Sequence, residues 1–111
     1  MQSYYIFNEK QLLRNLENLK TQNICAMVKA DAYGLGVYHV CNALKNKVKY
    51  FGVACIEEAK QIRSFDKTTK ILVVGYCENF EECIKNNIEI SITNYELFLK
   101  LIQFVEENNK T

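Results

Sequence analysis

The sequence has no proline, only four glycines and a single histidine, and its net charge is +1. With 14 basic against 13 acidic side chains, the usual electrostatic argument for a nucleic-acid or anionic-membrane partner is missing. Lys and Arg are also scattered along the chain rather than gathered into one stripe. No apolar run approaches the roughly 18 residues that a membrane-spanning helix needs. The opening Met1-Gln2-Ser3-Tyr4-Tyr5 lacks the basic start and apolar core of a secretory signal, so a cytoplasmic location is the default expectation. No linker rich in Pro, Gly or Ser divides the chain, and neither a low-complexity segment nor an internal repeat is present. The missing proline is unusual but points to no function.

Five cysteines occur, at Cys25, Cys41, Cys55, Cys77 and Cys83, with no C-x-x-C pair among them. Structural zinc wants four ligands at short paired spacings, and His39 does not complete such a set. Buried, reduced thiols acting as small hydrophobes are expected instead.

What the chain does have is a regular alternation of strands and helices. Its 111 residues suit one ordinary domain. A short extended segment at 4–7 precedes a first helix. Asn8 is its N-cap, Gln11 the capping-box partner, and Phe7 staples against Leu12. Leu12, Leu13, Leu16 and Leu19 form the apolar stripe of that helix, which ends near 21–23. Strands follow at 24–29, 50–55, 71–75 and 88–92. Between them, Val37, Val40, Cys41 and Leu44 mark a helix to about Asn46, and Ile56, Ala59, Ile62 and Phe65 line the next. Asn79 with Glu82 opens a third as a capping box, with Phe80, Cys83 and Ile84 inward. Thr93 with Glu96 opens the last, which carries Leu97, Phe98, Leu101, Ile102 and Val105 and frays over 106–111. Such alternation implies an α/β fold with a parallel sheet, because right-handed crossovers lay helices on its faces. Four βα units make either a small open sheet or the first half of a (β/α)8 barrel, which takes about 250 residues in full.

One stretch stands out. Ile24-Cys25-Ala26-Met27-Val28 is an apolar strand that ends in Lys29 and breaks into a loop with Gly34 and Gly36. Alternation puts Lys29 on the face of Met27 and Cys25, with Ile24, Ala26 and Val28 on the other. A strand apolar on both faces is typical of a parallel sheet covered by helices. A lysine at the rim of such a surface can act as an amine nucleophile and form a Schiff base. From spacing alone, a solvated lysine capping the sheet is the simpler reading. The two glycines suit a tight turn and fit neither a P-loop nor a dinucleotide fingerprint. His39 begins a helix. Glu57 and Glu58 point about 100° apart on a helix, so they are solvated charges at its start rather than a paired-carboxylate site. Lys45, Lys47 and Lys49 belong to a solvated turn.

The run Val28-Lys29-Ala30-Asp31-Ala32-Tyr33-Gly34-Leu35-Gly36 resembles the cofactor-lysine motif of the alanine racemase family, enzymes that use pyridoxal 5′-phosphate (PLP). Tyr50-Phe51-Gly52-Val53-Ala54, with Glu57, Glu58, Ala59 and Arg63, resembles that family's second βα unit. The run from Ile71 to Tyr76 resembles its third strand. The likeness extends from about Asn8 to Leu101. It implies that residues 1–111 form the N-terminal half of a TIM barrel, without the family's second half-barrel and C-terminal β domain. It also implies that Lys29 carries the Schiff base with PLP and is the general base on one face of the substrate. Tyr33 would hydrogen-bond the PLP phosphate. The implied reaction interconverts L- and D-alanine for peptidoglycan, in a homodimer whose other subunit supplies a tyrosine as the opposite-face acid. No tyrosine here matches that residue, and the family's arginine to the pyridine nitrogen lies outside the chain. Leu35 stands where many members carry histidine. Asp31 and Ala32 fill motif positions without an evident chemical role. Little or no racemase activity is therefore expected of these residues alone. Two other readings remain at this stage. One is a non-catalytic PLP-binding or carrier module, and the other is a small open α/β interaction domain whose Lys29 is a surface residue.

Overall fold

Each apolar run becomes a short strand, and each amphipathic stretch after it a helix. The computed structural model describes residues 24–29, 32 and 36–108. The segment at 4–7, the first helix with its Asn8 cap, and Asp31, Tyr33, Gly34 and Leu35 lie outside the described residues. The elements run β1 (Cys25–Met27), α1 (Val37–Leu44), β2 (Tyr50–Val53), α2 (Ile56–Arg63), β3 (Lys70–Val73), α3 (Phe80–Lys85), β4 (Ile88–Ile90) and α4 (Tyr95–Asn108). All three strand pairings are parallel, and the sheet order is β1-β2-β3-β4. Consecutive order means that the chain always steps the same way across the sheet. Right-handed crossovers then put every helix on one face. A singly wound sheet of this kind is the N-terminal half of a (β/α)8 barrel, as expected.

The register shows which side is covered. Ala26, Phe51, Ile71 and Ile88 share one level of the sheet. With Val28, Val53 and Val73 they pack against Val40, Cys41, Leu44, Ile56, Ala59, Ile62 and Cys83 of the helices. The other face carries Met27, Gly52, Leu72 and Glu89 at one level and Cys25, Tyr50 and Lys70 below it. Met27 is 36% exposed and Cys25 is also exposed. A sheet covered by helices on both faces is thus not what forms. The apolar inner residues reflect a barrel interior, which a half-barrel leaves open. Gly52 belongs to this face because a Cβ there would lie 2.5 Å from the Met27 sulfur.

Other local expectations need correction. Asn79 precedes α3 but makes no side-chain cap bond. For α4 the cap is Asn94, not Thr93, since Asn94 Oδ1 accepts the Leu97 N–H at 2.8 Å. Asparagine caps as well as threonine does, and it stands one residue closer to the first turn. Ile84 points outward at 71% exposed. On α4 only Leu97 is fully buried, while Phe98, Ile102 and Val105 remain exposed. Glu58 is more than a solvated charge, because its Oε1 accepts the Ala54 N–H at 2.8 Å and ties the end of β2 to α2. The thiols divide. Cys41, Cys77 and Cys83 are buried, as small hydrophobes should be, whereas Cys25 is exposed and Cys55 half-buried. Burial pushes the Cys41 and Cys83 thiols up to about 12.

The α2–β3 turn is held by Asp66. Its carboxylate accepts from the Thr68 and Thr69 N–H groups at 3.0 Å each and from the Thr69 hydroxyl at 2.6 Å. Burial acts to raise the Asp66 pKa, but these hydrogen bonds outweigh it and the net shift is downward. A carboxyl whose folded pKa lies below its unfolded value contributes stability above the unfolded pKa, about 4. That contribution is lost as pH falls through the folded value. Urea midpoints should therefore hold between pH 5 and 7 on the Asp66 account and drop below about pH 4. Asp66→Asn should be less stable at neutral pH and lose less on acidification. Equal acid slopes for the two proteins would contradict this assignment.

Candidate active site

The C-terminal ends of the strands form one rim. Beyond the strands proper the ladder continues by one bond each: Val28 N–H to Gly52 O at 2.9 Å, Val74 N–H to Val53 O at 2.9 Å, and Ser91 N–H to Val73 O at 3.2 Å. Lys29, Ala54, Val74 and Ser91 leave the ends of the four strands on this rim, with β1 ending at Met27 and Lys29 already in the helical turn that follows it. Lys29 is half-buried there. Barrel enzymes hold their chemistry at this end of the strands. Gly75 has a separate structural reason to be glycine, since a Cβ would stand 2.6 Å from the Ala54 carbonyl oxygen.

The backbone turns abruptly after Lys29. Ala32 N–H donates to Val28 O at 3.0 Å, closing one helical turn around the lysine. Ala32 sits at φ 56°, in the left-handed region, and is 3% exposed. Gly36 follows at φ 93° and accepts the Val40 N–H through its carbonyl at 3.2 Å, starting α1. Ala32 thus has a conformational role that its residue type did not announce. A left-handed alanine costs about 1–2 kcal/mol relative to its usual conformations. Ala32→Gly is expected to remain within about 1 kcal/mol of the parent on the stabilising side. Ala32→Val should cost more than about 2 kcal/mol, because a branched side chain must enter both this conformation and the core. Thermal or urea unfolding decides it, and a fully tolerated valine would contradict the turn.

The other singled-out residues are not at the rim amine. His39 lies on the exposed side of α1, and Lys45, Lys47 and Lys49 lie in the exposed turn before β2. None of the ion pairs among the described residues uses Lys29. Among those residues no group of three or more His, Cys, Asp or Glu side chains is placed to hold a metal. The loop leaving β3 forms a surface latch that sequence reading missed. Lys100 Nζ meets Glu78 Oε2 at 2.7 Å, and the Tyr76 hydroxyl donates to the same oxygen at 3.0 Å. The hydrogen bond to Glu78 raises the Lys100 pKa. The partners are 24 and 22 residues from Lys100, so no local pattern could have signalled the latch.

Residues 7–111 match the family model described as alanine racemase, N-terminal domain. The alanine racemase of Francisella tularensis subsp. holarctica is 36% identical over 108 residues, covering 91% of this chain and 29% of that protein. The alanine racemase of Borreliella burgdorferi is 33% identical over 107 residues, covering 92% and 28%. Among solved structures, alanine racemase from Clostridium difficile 630 superposes with a TM-score of 0.78 at 35% identity over 94% of this chain and 28% of its own. The Acinetobacter baumannii alanine racemase gives 0.77 at 31% identity, over 86% and 29%. The chain therefore spans under a third of the length of these relatives.

Proposed function

We propose that this chain, which belongs to the alanine racemase family through that family's N-terminal domain, carries the cofactor-lysine part of a PLP-dependent alanine racemase. Residues 1–111 correspond to the N-terminal, PLP-binding part of the barrel. The observation that supports this best is the position of Lys29, a half-buried amine at the C-terminal rim of a singly wound parallel sheet, followed by a tight turn. The residues present fit the group. A Schiff base needs a primary amine that is not fully buried, and Lys29 is a half-buried amine on this rim. Tyr33, four positions after Lys29 in the motif, is the residue for the phosphate.

When bound, PLP supplies an electron sink that makes the substrate Cα proton removable. Lys29 Nζ holds the cofactor and then takes or returns that proton on one face. The sheet beneath it fixes where the amine stands. In the complete enzyme, a homodimer, the opposite-face acid comes from the partner subunit. The substrate is a small amino acid, alanine, and the product D-alanine serves peptidoglycan synthesis. Free thiols at all five cysteines suit a reducing, cytoplasmic setting.

Titrating the chain with PLP and following the Schiff-base absorption tests this. A saturable band is expected from the parent, with none from Lys29→Ala. A band of equal size from the alanine variant would overturn the assignment.

A further inference from the structure

Two of the five thiols meet. Cys25 lies on β1, Cys41 on α1 and Cys55 just before α2. Cys77 and Cys83, in contrast, bring their sulfurs to 3.8 Å from each other. Both residues are buried, at 3% and 4% exposed. Cys77 belongs to the irregular loop that leaves β3 at the rim, and Cys83 sits within α3. We propose that Cys77 and Cys83 form a redox pair, which a small-molecule disulfide oxidises reversibly to an intramolecular disulfide stapling this loop to α3.

The geometry favours closure. A disulfide holds its sulfurs about 2.05 Å apart, and a sulfur already at 3.8 Å closes that gap by turning about its Cα–Cβ bond as the loop yields. The loop is the side that can yield. From Gly75 to Asn79 it is neither helix nor strand. Its tie to α4 is the latch of Lys100 on Glu78, whose side chains are 44% and 51% exposed. Exposed ion pairs of this kind hold weakly. Cys77 Sγ has one further contact, 3.9 Å to Asn79 Oδ1, and it too lies within the loop. On α3, burial and the neighbouring Cys77 keep the Cys83 thiol protonated in the closed fold. The first attack therefore falls to Cys77 once the loop lifts. The contact is buried by the described residues themselves, so it does not depend on chain packed elsewhere.

The exchange balances as follows. Cys77 gives its proton to solvent, and its thiolate attacks one sulfur of the small disulfide. That S–S bond breaks, and one small thiolate leaves and takes up a proton. Cys83 then loses its proton and attacks the Cys77 sulfur, and the second small thiol leaves in the same way. Two protein thiols are oxidised to one disulfide while the reagent is reduced to two thiols. In a reducing setting the pair rests as thiols, and a disulfide formed there is of the transient, redox-sensing kind. The loop leaves the same rim as Lys29, so the staple restrains the rim and leaves the sheet unchanged.

Buffers of oxidised and reduced glutathione, applied without PLP, test the pair independently of the role proposed for Lys29. After acid quenching and alkylation, trypsin cuts after Lys70 and Lys85 and releases both cysteines in one peptide. That peptide is expected to be lighter by two hydrogens and free of alkyl label, while the exposed Cys25 carries glutathione. Half-conversion should need about tenfold less oxidising buffer in the folded chain than in urea, where the contact is lost. Dithiothreitol should restore both thiols. Cys83→Ser should stop the reaction at glutathione on Cys77, and Cys77→Ser should leave Cys83 to the alkylating agent. Should either variant fail to fold, the comparison of folded and urea-unfolded parent still decides. Alkylated Cys77 and Cys83 in a buffer that fully modifies Cys25 would overturn the inference. So would a peptide carrying two glutathiones, or a midpoint no more reducing in the folded chain than in urea.

Discussion

Replacing Arg63 by alanine is expected to lower the unfolding free energy by about 3 kcal/mol or more. The side chain ends α2 and is only 6% exposed. Its guanidinium donates to four backbone carbonyls: Asp66 at 3.0 Å and Thr69, Asn86 and Asn87 at 2.8 Å each. The first two belong to the turn before β3, and the last two end the α3–β4 connection. One planar fork therefore ties three segments, and alanine leaves all of those acceptors without their donor. Lysine does not substitute for it. An ammonium has three donors from one point and cannot span carbonyls on both sides, so Arg63→Lys should recover less than half of the loss. Urea denaturation measures both variants. Amide exchange should accelerate most in Ile88–Ile90, whose placement depends on the Asn86 and Asn87 carbonyls. A change within about 0.5 kcal/mol for the alanine variant would show that those carbonyls find other donors.

L-Alanine incubated in D2O with this chain and PLP is expected to exchange its Cα hydrogen with retention of configuration, ahead of racemisation by about 100-fold. On the proposed function Lys29 would be a base on one face only, and a deuteron returned from the same Nζ would restore the starting hand. Inversion needs an acid on the other face. Among the described tyrosines none is placed for it. Tyr50 begins β2, at the opposite end of the strands from Lys29, and is bonded to Glu89. Tyr38 packs edge-on against Phe65 at 5.1 Å, Tyr76 is engaged with Glu78, and Tyr95 is 72% exposed at the start of α4. Proton NMR of the Cα signal together with chiral chromatography separates the two rates. Racemisation that keeps pace with exchange would mean that the chain holds its own opposite-face acid.

The helix-packed side of this fold was legible because its signal is local. Phe51, Val53, Ile71 and Val73 lie in continuous apolar runs, and such runs between amphipathic stretches can hardly be other than buried parallel strands. The same alternation carries the strand through Lys29, but β1 closes at Met27 and Lys29 already belongs to the turn that follows. Its proposed chemistry rests on the resemblance of the nine-residue motif around it. Other features depended on neighbours distant in sequence. Arg63 stands in the sequence only as part of the family resemblance, and its structural role depends on residues 23 and 24 positions away that bring their carbonyls to it. Phe98 and Ile102 read as core because their spacing is right, but spacing cannot say whether another element arrives to cover that face. The α4 cap slipped by one residue, since Thr93 and Asn94 are both competent and only the backbone decides between them. At the site itself, Ala32 adopts a glycine-like conformation without being glycine, which no propensity rule anticipates. Gly52 did carry a signal, because a glycine inside a strand often marks a close approach, here by the Met27 side chain.

Borohydride reduction of the chain mixed with PLP, followed by peptide mapping for the modified lysine, tests the central claim most directly. The protein holds many competing amines, among them Lys45, Lys47, Lys49, Lys60, Lys67, Lys70 and Lys100, all of them exposed. If Lys29 at the rim of the sheet is the cofactor lysine, one equivalent of label is expected on Lys29 with only traces elsewhere. Label spread over the exposed lysines, with Lys29 no more reactive than they are, would contradict it.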